Sequence, residues 1–367
     1  SNSTIEDLQG NIYLIAKDQY GRTRYHIVPG CRLLQRLLDE RKADVVEITF
    51  NEVFDHINEL MTDPFGNYLC QKLIEHCADT QRLAIIERVA QVFCAASWDL
   101  VPISLNMHGT RAVQKLVETI VTPKEVELVV ASLKSNVVTL IKDLNGNHVI
   151  QRCLNHLSSH DAQFIYDAVS KHCVSVATHK HGCCVLQRCI DFATATQKRQ
   201  LVQEIVANAL ELVQDAFGNY VVQYVLDFGE ATIANEIMQN LLGELISSLS
   251  VQKFSSNVVE KCLEMANDAT RAKFVDELTN AERRLPRLLQ DPYANYVIQK
   301  ALSVSKQVSL SKLVAVIRPH LATLKNTAFG KRIQVSPVTF NIVQNKILKK
   351  WPDLQFEADF TSLDGTP

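Results

Sequence analysis

Seven glutamines and one glutamate recur along this chain at nearly constant spacing, each four residues after a small residue with a polar side chain or a thiol. They are the fifth residues of eight similar five-residue segments: Gln35, Gln71, Gln114, Gln151, Gln187, Gln223, Glu260 and Gln299. The first residues of the same segments are Cys31, Asn67, Thr110, Asn147, Cys183, Asn219, Ser256 and Asn295. A side-chain amide both donates and accepts hydrogen bonds, whereas a carboxylate only accepts them. These two positions therefore carry the groups that are needed to recognise the edge of a nucleic-acid base.

The residues beside these pairs have a chemistry that suits the rest of a nucleotide. The second residue of each segment is mostly a flat group that can stack on a base: Arg32, Tyr68, Arg111, His148, Cys184, Tyr220, Asn257 and Tyr296. The sixth position is Tyr224 in one repeat and is basic in the others: Arg36, Lys72, Lys115, Arg152, Arg188, Lys261 and Lys300. A row of cations beside a row of stacking groups suits a phosphate backbone. The last five of these cations are the candidate phosphate contacts.

An α-helix explains why these residue types recur together. At about 100° per residue, positions 3, 4, 7 and 8 fall on one arc of the helix, and positions 1, 5, 2 and 6 fall on the opposite arc. The first arc is apolar, as in Leu69, Cys70, Leu73 and Ile74, so it is predicted to be buried. The second arc is predicted to be open to a ligand. The fifth residues lie 36 to 43 residues apart, a period typical of stacked helical repeats.

Two simpler interpretations compete with ligand binding. A small polar residue after a glycine, as in Gly66-Asn67, is also typical of a helix N-cap, and Asp63-Pro64-Phe65-Gly66 is typical of a turn that enters a helix. A lone basic residue is often only a solvated charge. However, N-capping does not explain position 5, and solvation does not explain why the cations recur at one angular position. The set as a whole favours ligand binding.

Composition limits the class of protein. The chain has 367 residues, 47% of them hydrophobic, and its repeats run from about Leu8 to Leu302 without a linker-like break, which favours one elongated unit. No membrane span and no signal sequence are evident. Cysteines such as Cys70 and Cys153 fall on the apolar arc, and no CxxC pair is present, as expected for reduced thiols. We therefore expect a soluble, cytoplasmic protein.

Charge and the remaining motifs narrow the function. A net charge of −2 would by itself weigh against nucleic acid. Acidic residues such as Glu118 and Glu204 lie outside the five-residue segments, so we expect a basic inner stripe and an acidic exterior. The run from His172 to His181 contains no HExxH and is expected to be structural or capping. The sequence predicts neither an enzyme nor a cofactor.

The eight segments resemble the base-reading helices of the Pumilio, or PUF, family, and the resemblance covers about Leu8 to Gln334. The runs 143–151 (DLNGNHVIQ) and 181–189 (HGCCVLQRC) are especially similar to fungal cytoplasmic members. The resemblance implies an all-α fold, a right-handed α-solenoid or crescent of eight three-helix repeats with terminal capping half-repeats. It implies a Pumilio homology domain over residues 5–334, with residues 335–367 an unassigned extension.

The same resemblance implies a function and a base for each repeat. Pumilio proteins bind single-stranded RNA in mRNA 3′ untranslated regions, as monomers, and repress translation or promote decay through deadenylation, decapping or translation-repression factors. In the family, Asn with Gln reads uracil, Cys, Ser or Thr with Gln reads adenine, and Ser with Glu reads guanine. Applied from the eighth repeat to the first, this code gives about 5′-UGUAUAUA-3′, with Ser256 and Glu260 reading the guanine.

Several features depart from the family pattern. The segment from Arg22 to Gly30 precedes the first motif segment, is not needed by the repeat, and is predicted to be a surface loop. The stretch from Phe93 to Asp99 lengthens the spacing between the second and third repeats, and Ser255 and Ala294 stand where other repeats have glycine. Residues 5–15 are expected to cap the stack, and residues 329–333 resemble the family's terminal half-repeat.

Two other functions are compatible with a helical repeat protein. One is a nucleolar relative that holds pre-ribosomal RNA with little base preference, although such proteins usually have a degraded code. The other is an armadillo- or HEAT-like scaffold that binds peptides through asparagine ladders. Neither explains a recurrent glutamine at position 5 with a single glutamate in the seventh repeat.

Overall fold

The computed structural model describes residues 4–17, 30–90, 100–244 and 248–320. Within these ranges the regular elements are helices, and no strand is present. The chain divides into two compact units, Ser1–Asn208 and Ala209–Pro367. In both units the same order recurs: a short helix, the helix that carries the five-residue segment, and a third helix. We call the second of these the motif helix.

The helix bounds follow this order closely. The motif helices are Gly30–Asp39, Gly66–His76, Gly109–Thr119, Gly146–His156, Gly182–Phe192, Gly218–Leu226, Ser255–Met265 and Ala294–Val304. The short helices that precede them are Ile12–Ala16, Ile57–Thr62, Leu100–Leu105, Val137–Lys142, Cys173–Ala177, Ala209–Leu212 and Leu285–Leu288. The third helices are Ala43–Val53, Asp79–Val89, Pro123–Leu133, Gln163–Lys171, Ala195–Ala207, Ala231–Leu241, Asp268–Asn280 and Gln307–Ile317. Short 3₁₀ turns follow some third helices, at Phe54–His56, Lys134–Asn136, Glu282–Arg284 and Arg318–His320.

The core of each unit is built from the apolar arc of the motif helices. Leu69, Cys70 and Leu73 in the first unit are fully buried, and so are Val258 and Val259 in the second. Within each unit, neighbouring motif helices pack against one another. The predicted helical period and its buried face are therefore confirmed. Burial of this kind is the main stabilising term, at about 25 cal/mol per Å² of apolar surface.

The turn before the second to the eighth motif helix is closed by a side chain four residues before position 1. Asp63 Oδ1 accepts hydrogen bonds from the backbone N–H of Phe65 at 2.9 Å and of Gly66 at 2.8 Å. Equivalent bonds are made by Asn106, Asp143, His179, Asp215, Gln252 and Asp291. Satisfying the free N–H groups of the helix start is thus the task of this earlier residue. The N-cap interpretation of position 1 is wrong.

In the second to the sixth repeat the glycine just before position 1 faces a backbone carbonyl six residues earlier. At Gly182 a Cβ atom would lie 2.1 Å from the carbonyl oxygen of Val176, so only glycine fits there without a shift. The seventh repeat meets the same constraint differently, because Ser255 Oγ donates to the carbonyl oxygen of Leu249 at 2.7 Å. Serine in place of glycine at position 255 therefore adds a hydrogen bond to this backbone carbonyl.

Several predictions fall at the ends and insertions. Ile5–Leu8 and Ile12–Ala16 form two short helices that bury Ile5, Leu8, Ile12 and Ile15, whereas Leu14 is exposed. The Arg22 to Gly30 segment lies outside the described residues except for Gly30, where the first motif helix begins. The stretch 93–99, the half-repeat at 329–333 and the extension 335–367 also lie outside them. No helix in the described ranges is long and apolar enough to cross a membrane.

Candidate nucleic-acid interface

The four positions of the predicted open arc differ in how much solvent they meet. Position 2 is exposed in all eight motif helices, and position 5 is half-buried in all eight. Position 1 is buried, with exposed fractions of only 0 to 5%. The prediction that position 1 lies open is therefore wrong. A helical wheel treats the helix as isolated, whereas here the preceding turn folds against the first turn of the helix and covers position 1.

In four repeats an asparagine at position 1 fixes the glutamine at position 5. Asn67 Nδ2 donates to the carbonyl oxygens of Asp63 and Pro64, at 2.8 and 3.0 Å. Its Oδ1 therefore faces the other way and accepts from Gln71 Nε2 at 3.0 Å. The same bond joins the pairs Asn147 and Gln151, Asn219 and Gln223, and Asn295 and Gln299, at 2.9 to 3.0 Å. The asparagine thus orients the glutamine amide from beneath.

This arrangement leaves a defined set of hydrogen-bonding groups on the glutamine. Its Oε1 is an acceptor, and the second hydrogen on Nε2 is a donor. One donor beside one acceptor matches the edge of uracil, which offers N3–H and a carbonyl oxygen. It also matches adenine, which offers N1 and N6–H. The glutamine alone therefore does not distinguish these two bases, so any discrimination must come from position 1.

The remaining glutamine repeats have a smaller residue at position 1. Thr110 Oγ1 donates to the carbonyl oxygen of Asn145 at 2.9 Å and accepts from Gln114 Nε2 at 3.1 Å. Cys183 Sγ donates to the carbonyl oxygen of Lys180 at 3.4 Å, and Cys31 is buried at the same position. A shorter side chain at position 1 leaves more room beside the glutamine. That room is consistent with a larger, purine base.

The seventh repeat presents a carboxylate where the others present an amide. Ser256 Oγ donates to the carbonyl oxygen of Lys253 at 3.3 Å, and Glu260 stands half-buried one turn later. Burial raises the pKa of Glu260, and the nearby Lys300 opposes that rise. In its charged form this group accepts from two neighbouring N–H donors. A guanine edge, with N1–H and N2–H side by side, supplies them.

Position 2 carries large exposed rings beside these pairs. Tyr68, Tyr220 and Tyr296 have exposed fractions of 49, 57 and 39%, and His148 and Arg111 are also exposed. Exposed aromatic rings at one angular position in alternate repeats can stack on bases. Asn257 and Cys184 occupy the same exposed position with much smaller surfaces.

Six of the seven cations of position 6 are paired with carboxylates, which was not predicted from the sequence. Lys72 Nζ lies 2.6 Å from Asp39 Oδ1, and Arg152 Nη1 lies 2.9 Å from Glu118 Oε1. In the second unit Lys261 pairs with Asp227, and Lys300 lies 3.2 Å from Glu264. Each of these pairs links a cation on one motif helix to a carboxylate at the end of the preceding motif helix.

Two cations also pair within their own helix. Lys115 lies 3.1 Å from Glu118, and Arg188 lies 3.5 Å from Asp191. The expected separation of a basic inner stripe from acidic residues such as Glu118 is therefore wrong, because the acids stand among the cations. All of these pairs are partly exposed, so each contributes little to stability, on the order of 0–1 kcal/mol.

The acidic partners recur at one position of the motif helix, which is visible in the sequence. When the numbering of the five-residue segment is continued along the helix, they stand at position 9: Asp39, Glu75, Glu118, Asp191, Asp227 and Glu264. On a helix, positions 6 and 9 are neighbours, and position 9 also reaches the next repeat. The recurrence of an acidic residue three positions after the basic residue was the sequence pattern that could have predicted these ion pairs.

The histidine run has a structural role at its end. His179 Nδ1 accepts from the N–H groups of His181 and Gly182, at 3.2 and 3.4 Å. Burial lowers the pKa of His179, as does repulsion from His181 and Lys142, and a neutral ring keeps Nδ1 an acceptor. The predicted capping role is confirmed for His179. Among the described residues no cluster of His, Cys, Asp or Glu is arranged to hold a metal ion.

A family model for the Pumilio-family RNA binding repeat matches most of the chain. The matched residues are 11–21, 30–54, 56–90, 99–133, 136–170, 172–206, 208–242, 246–279 and 286–318. The first two stretches together have about the length of one repeat and are separated by 22–29, within the predicted insertion. The chain belongs to the Pumilio family of RNA-binding repeat proteins, which confirms the predicted all-α repeat fold and a role in RNA binding rather than catalysis.

Known relatives agree with this assignment. The chain is similar to Pumilio homolog 12 of Arabidopsis thaliana, at 45% identity over 90% of this chain and 53% of the relative. A Pumilio domain-containing protein of Schizosaccharomyces pombe is 47% identical over 88% of this chain and 45% of its own length. The chain therefore spans about half the length of these relatives.

Solved structures of RNA-bound proteins have the same fold. The Puf4 RNA binding domain, bound to a 3′ UTR recognition sequence of HO endonuclease RNA, is 40% identical, with a TM-score of 0.72 over 88% of this chain and 98% of that one. The RNA-binding domain of yeast Puf5p, bound to SMX2 RNA, is 30% identical, with a TM-score of 0.77 over 90% and 96%. Both neighbours are RNA-binding domains in complex with RNA.

Proposed function

We propose that this protein binds single-stranded RNA containing a UGUA element, about 5′-UGUAUAUA-3′, in mRNA 3′ untranslated regions. The observation that carries the proposal is the set of eight pairs at positions 1 and 5, in which Glu260 is the single carboxylate among seven glutamines. A carboxylate suits guanine and an oriented glutamine suits uracil or adenine. One guanine in an otherwise A- and U-containing site follows from that composition.

The choice between uracil and adenine rests on position 1. Four repeats have an asparagine that fixes the glutamine, and three have a cysteine or threonine that leaves more room. Alternation of these two classes along the chain gives the alternating U and A of the proposed site. The Puf4 RNA binding domain, which is bound to a 3′ UTR recognition sequence, supports the same class of target.

The biological consequence is part of the proposal. Binding in a 3′ untranslated region leads to repression or decay of the message when a bound protein recruits deadenylation, decapping or translation-repression factors. We propose that the protein acts in this way, as a monomer in the cytoplasm. Tethering the protein to a reporter message and measuring message half-life and protein output tests the recruitment separately from RNA choice.

A direct test of RNA choice is a titration with 5′-UGUAUAUA-3′ and with the variant in which the guanine is adenine. We expect the variant to bind more weakly by about 1–3 kcal/mol, the usual range for one mismatched base contact. Equal binding of both RNAs would indicate a relative without base preference. Absence of RNA binding would instead indicate a scaffold for other ligands.

A further inference from the structure

Arg188 is the most exposed of the six paired cations of position 6. Its side chain is 60% exposed, whereas the side chains of the other five are 25 to 37% exposed. It lies on the fifth motif helix, Gly182–Phe192, one turn after Cys184. Two features of its surroundings leave its guanidinium accessible.

The first feature is that the preceding motif helix offers Arg188 no carboxylate. Position 9 of that helix is Asn155, and the whole helix Gly146–His156 contains no acidic residue. The ion pair of Arg188 is instead with Asp191 on its own helix, at 3.5 Å. Because this pair is long and exposed, it contributes little to stability. It therefore does not hold the guanidinium in one place.

The second feature is the small side chain at position 2 of the same helix. Positions 2 and 6 are four residues apart, so they are neighbours on the helix surface. Cys184 fills little of the space beside Arg188. Lys261 also follows a small residue, Asn257, but it pairs with Asp227 of the preceding motif helix. Among the seven cations of position 6, which the structure describes in full, Arg188 alone combines a small neighbour with a preceding motif helix that carries no acid.

The chemistry of arginine suits the place that Cys184 leaves open. A guanidinium is flat and delocalised, and it stacks on aromatic faces as a lysine ammonium does not. RNA bases stack on guanidinium planes as well as on aromatic rings. The Cβ atoms of neighbours four residues apart on a helix are separated by about 5–6 Å, which is within the reach of an extended arginine side chain.

We propose that the guanidinium of Arg188 supplies the stacking plane for the base bound by the fifth repeat, over the place left open by Cys184. The side chain turns from Asp191 toward Cys184 and covers one face of the base whose edge meets Gln187. Its charge adds an attraction between the cation and the base ring. The inference rests on the proposed function, in which this base is the adenine at the fourth place of 5′-UGUAUAUA-3′.

The experiment removes the plane and the base separately. Arg188→Lys keeps the charge but loses the flat group. Wild type and Arg188→Lys are titrated with 5′-UGUAUAUA-3′ and with the same RNA carrying an abasic ribose at the fourth place. We expect Arg188→Lys to bind the complete RNA about tenfold more weakly, with an unchanged salt dependence because no charge is lost. On the abasic RNA the two proteins should bind equally, because no base is left to stack.

A matched control makes the same substitution elsewhere in the fifth repeat. Arg199 is exposed on the third helix, Ala195–Ala207, outside the motif helix. Arg199→Lys should bind both RNAs as wild type does. Thermal unfolding of each variant establishes that it is folded, which the exposure of both arginines favours.

The possible results separate this proposal from the proposed function. If wild type does not bind the complete RNA, the proposed function fails, and stacking by Arg188 fails with it. If wild type binds and Arg188→Lys binds equally well, only the stacking role fails. An equal loss of affinity for the complete and the abasic RNA would also overturn it, because Arg188 would then contact the backbone or support the fold.

Discussion

Gln223 Nε2 donates to Asn219 Oδ1 at 2.9 Å, while Asn219 Nδ2 donates to the carbonyl oxygens of Asp215 and Ala216. The turn thus fixes the asparagine, and the asparagine fixes the glutamine. The group that we propose meets the RNA is therefore oriented before RNA arrives, which lowers the entropy cost of binding.

Replacing Tyr220 with alanine should weaken binding of 5′-UGUAUAUA-3′ by ~1–3 kcal/mol, the usual cost of losing one base stack. The ring is 57% exposed, so thermal stability should change little. Tyr220→Phe keeps the ring and should retain most of the affinity, and Tyr296→Ala should behave as Tyr220→Ala does. Unchanged affinity with a marked drop in thermal stability would show that the ring packs instead of stacking on RNA.

The ion pair between Arg152 and Glu118 offers two opposite changes at one place. If Arg152 contacts phosphate, Arg152→Gln should weaken the binding of cognate and non-cognate RNAs alike. It should also reduce the slope of log binding constant against log salt concentration by about 0.7. Glu118→Gln removes the carboxylate that pairs with both Arg152 and Lys115. It should strengthen the binding of cognate and non-cognate RNAs and make that binding more dependent on salt. Titrations at several salt concentrations measure the slope. An effect on one base only would mean that these residues contact base edges.

Acid should weaken binding through Glu260. Burial raises the pKa of this carboxyl in the free protein, and guanine N–H donors favour the charged form, so RNA binding lowers the pKa. Affinity should therefore be full above the raised pKa and fall by up to about 1.4 kcal/mol per pH unit below it. Titrations of wild type and Glu260→Gln with the same RNA measure this difference. Parallel pH profiles would show that Glu260 does not titrate on binding.

The sequence was sufficient for the repeat, the helix and its buried arc. Leu69 and Cys70 are apolar at a helical spacing that recurs eight times, and the structure buries both. Repetition made this possible, because an accidental pattern in one segment does not recur at the same angular positions in seven others.

The features that could not be predicted from the sequence depend on contacts between structural elements. The turn that buries Asn67 is formed by Asp63 and Pro64, and a wheel of one helix contains no turn. The pairing of Arg152 with Glu118 joins two successive repeats, so it follows from how the helices stack. The orientation of Gln71 follows from the first of these contacts and was likewise not predictable from periodicity.

Base recognition by positions 1 and 5 can be tested by changing the base that the seventh repeat prefers. Ser256→Asn with Glu260→Gln converts this pair into the one found at Asn219 and Gln223. In wild type, Ser256 Oγ donates to the carbonyl oxygen of Lys253. This oxygen corresponds to that of Ala216, which accepts from Asn219, so the side-chain amide introduced by Ser256→Asn has an acceptor.

The measurement is a pair of titrations, with 5′-UGUAUAUA-3′ and with 5′-UUUAUAUA-3′, on wild type and on the double variant. Wild type should prefer the guanine RNA, and the double variant should prefer the uracil RNA by ~1–3 kcal/mol. Circular dichroism and thermal unfolding establish that the variant is folded. A folded double variant that still prefers guanine would contradict base recognition by positions 1 and 5.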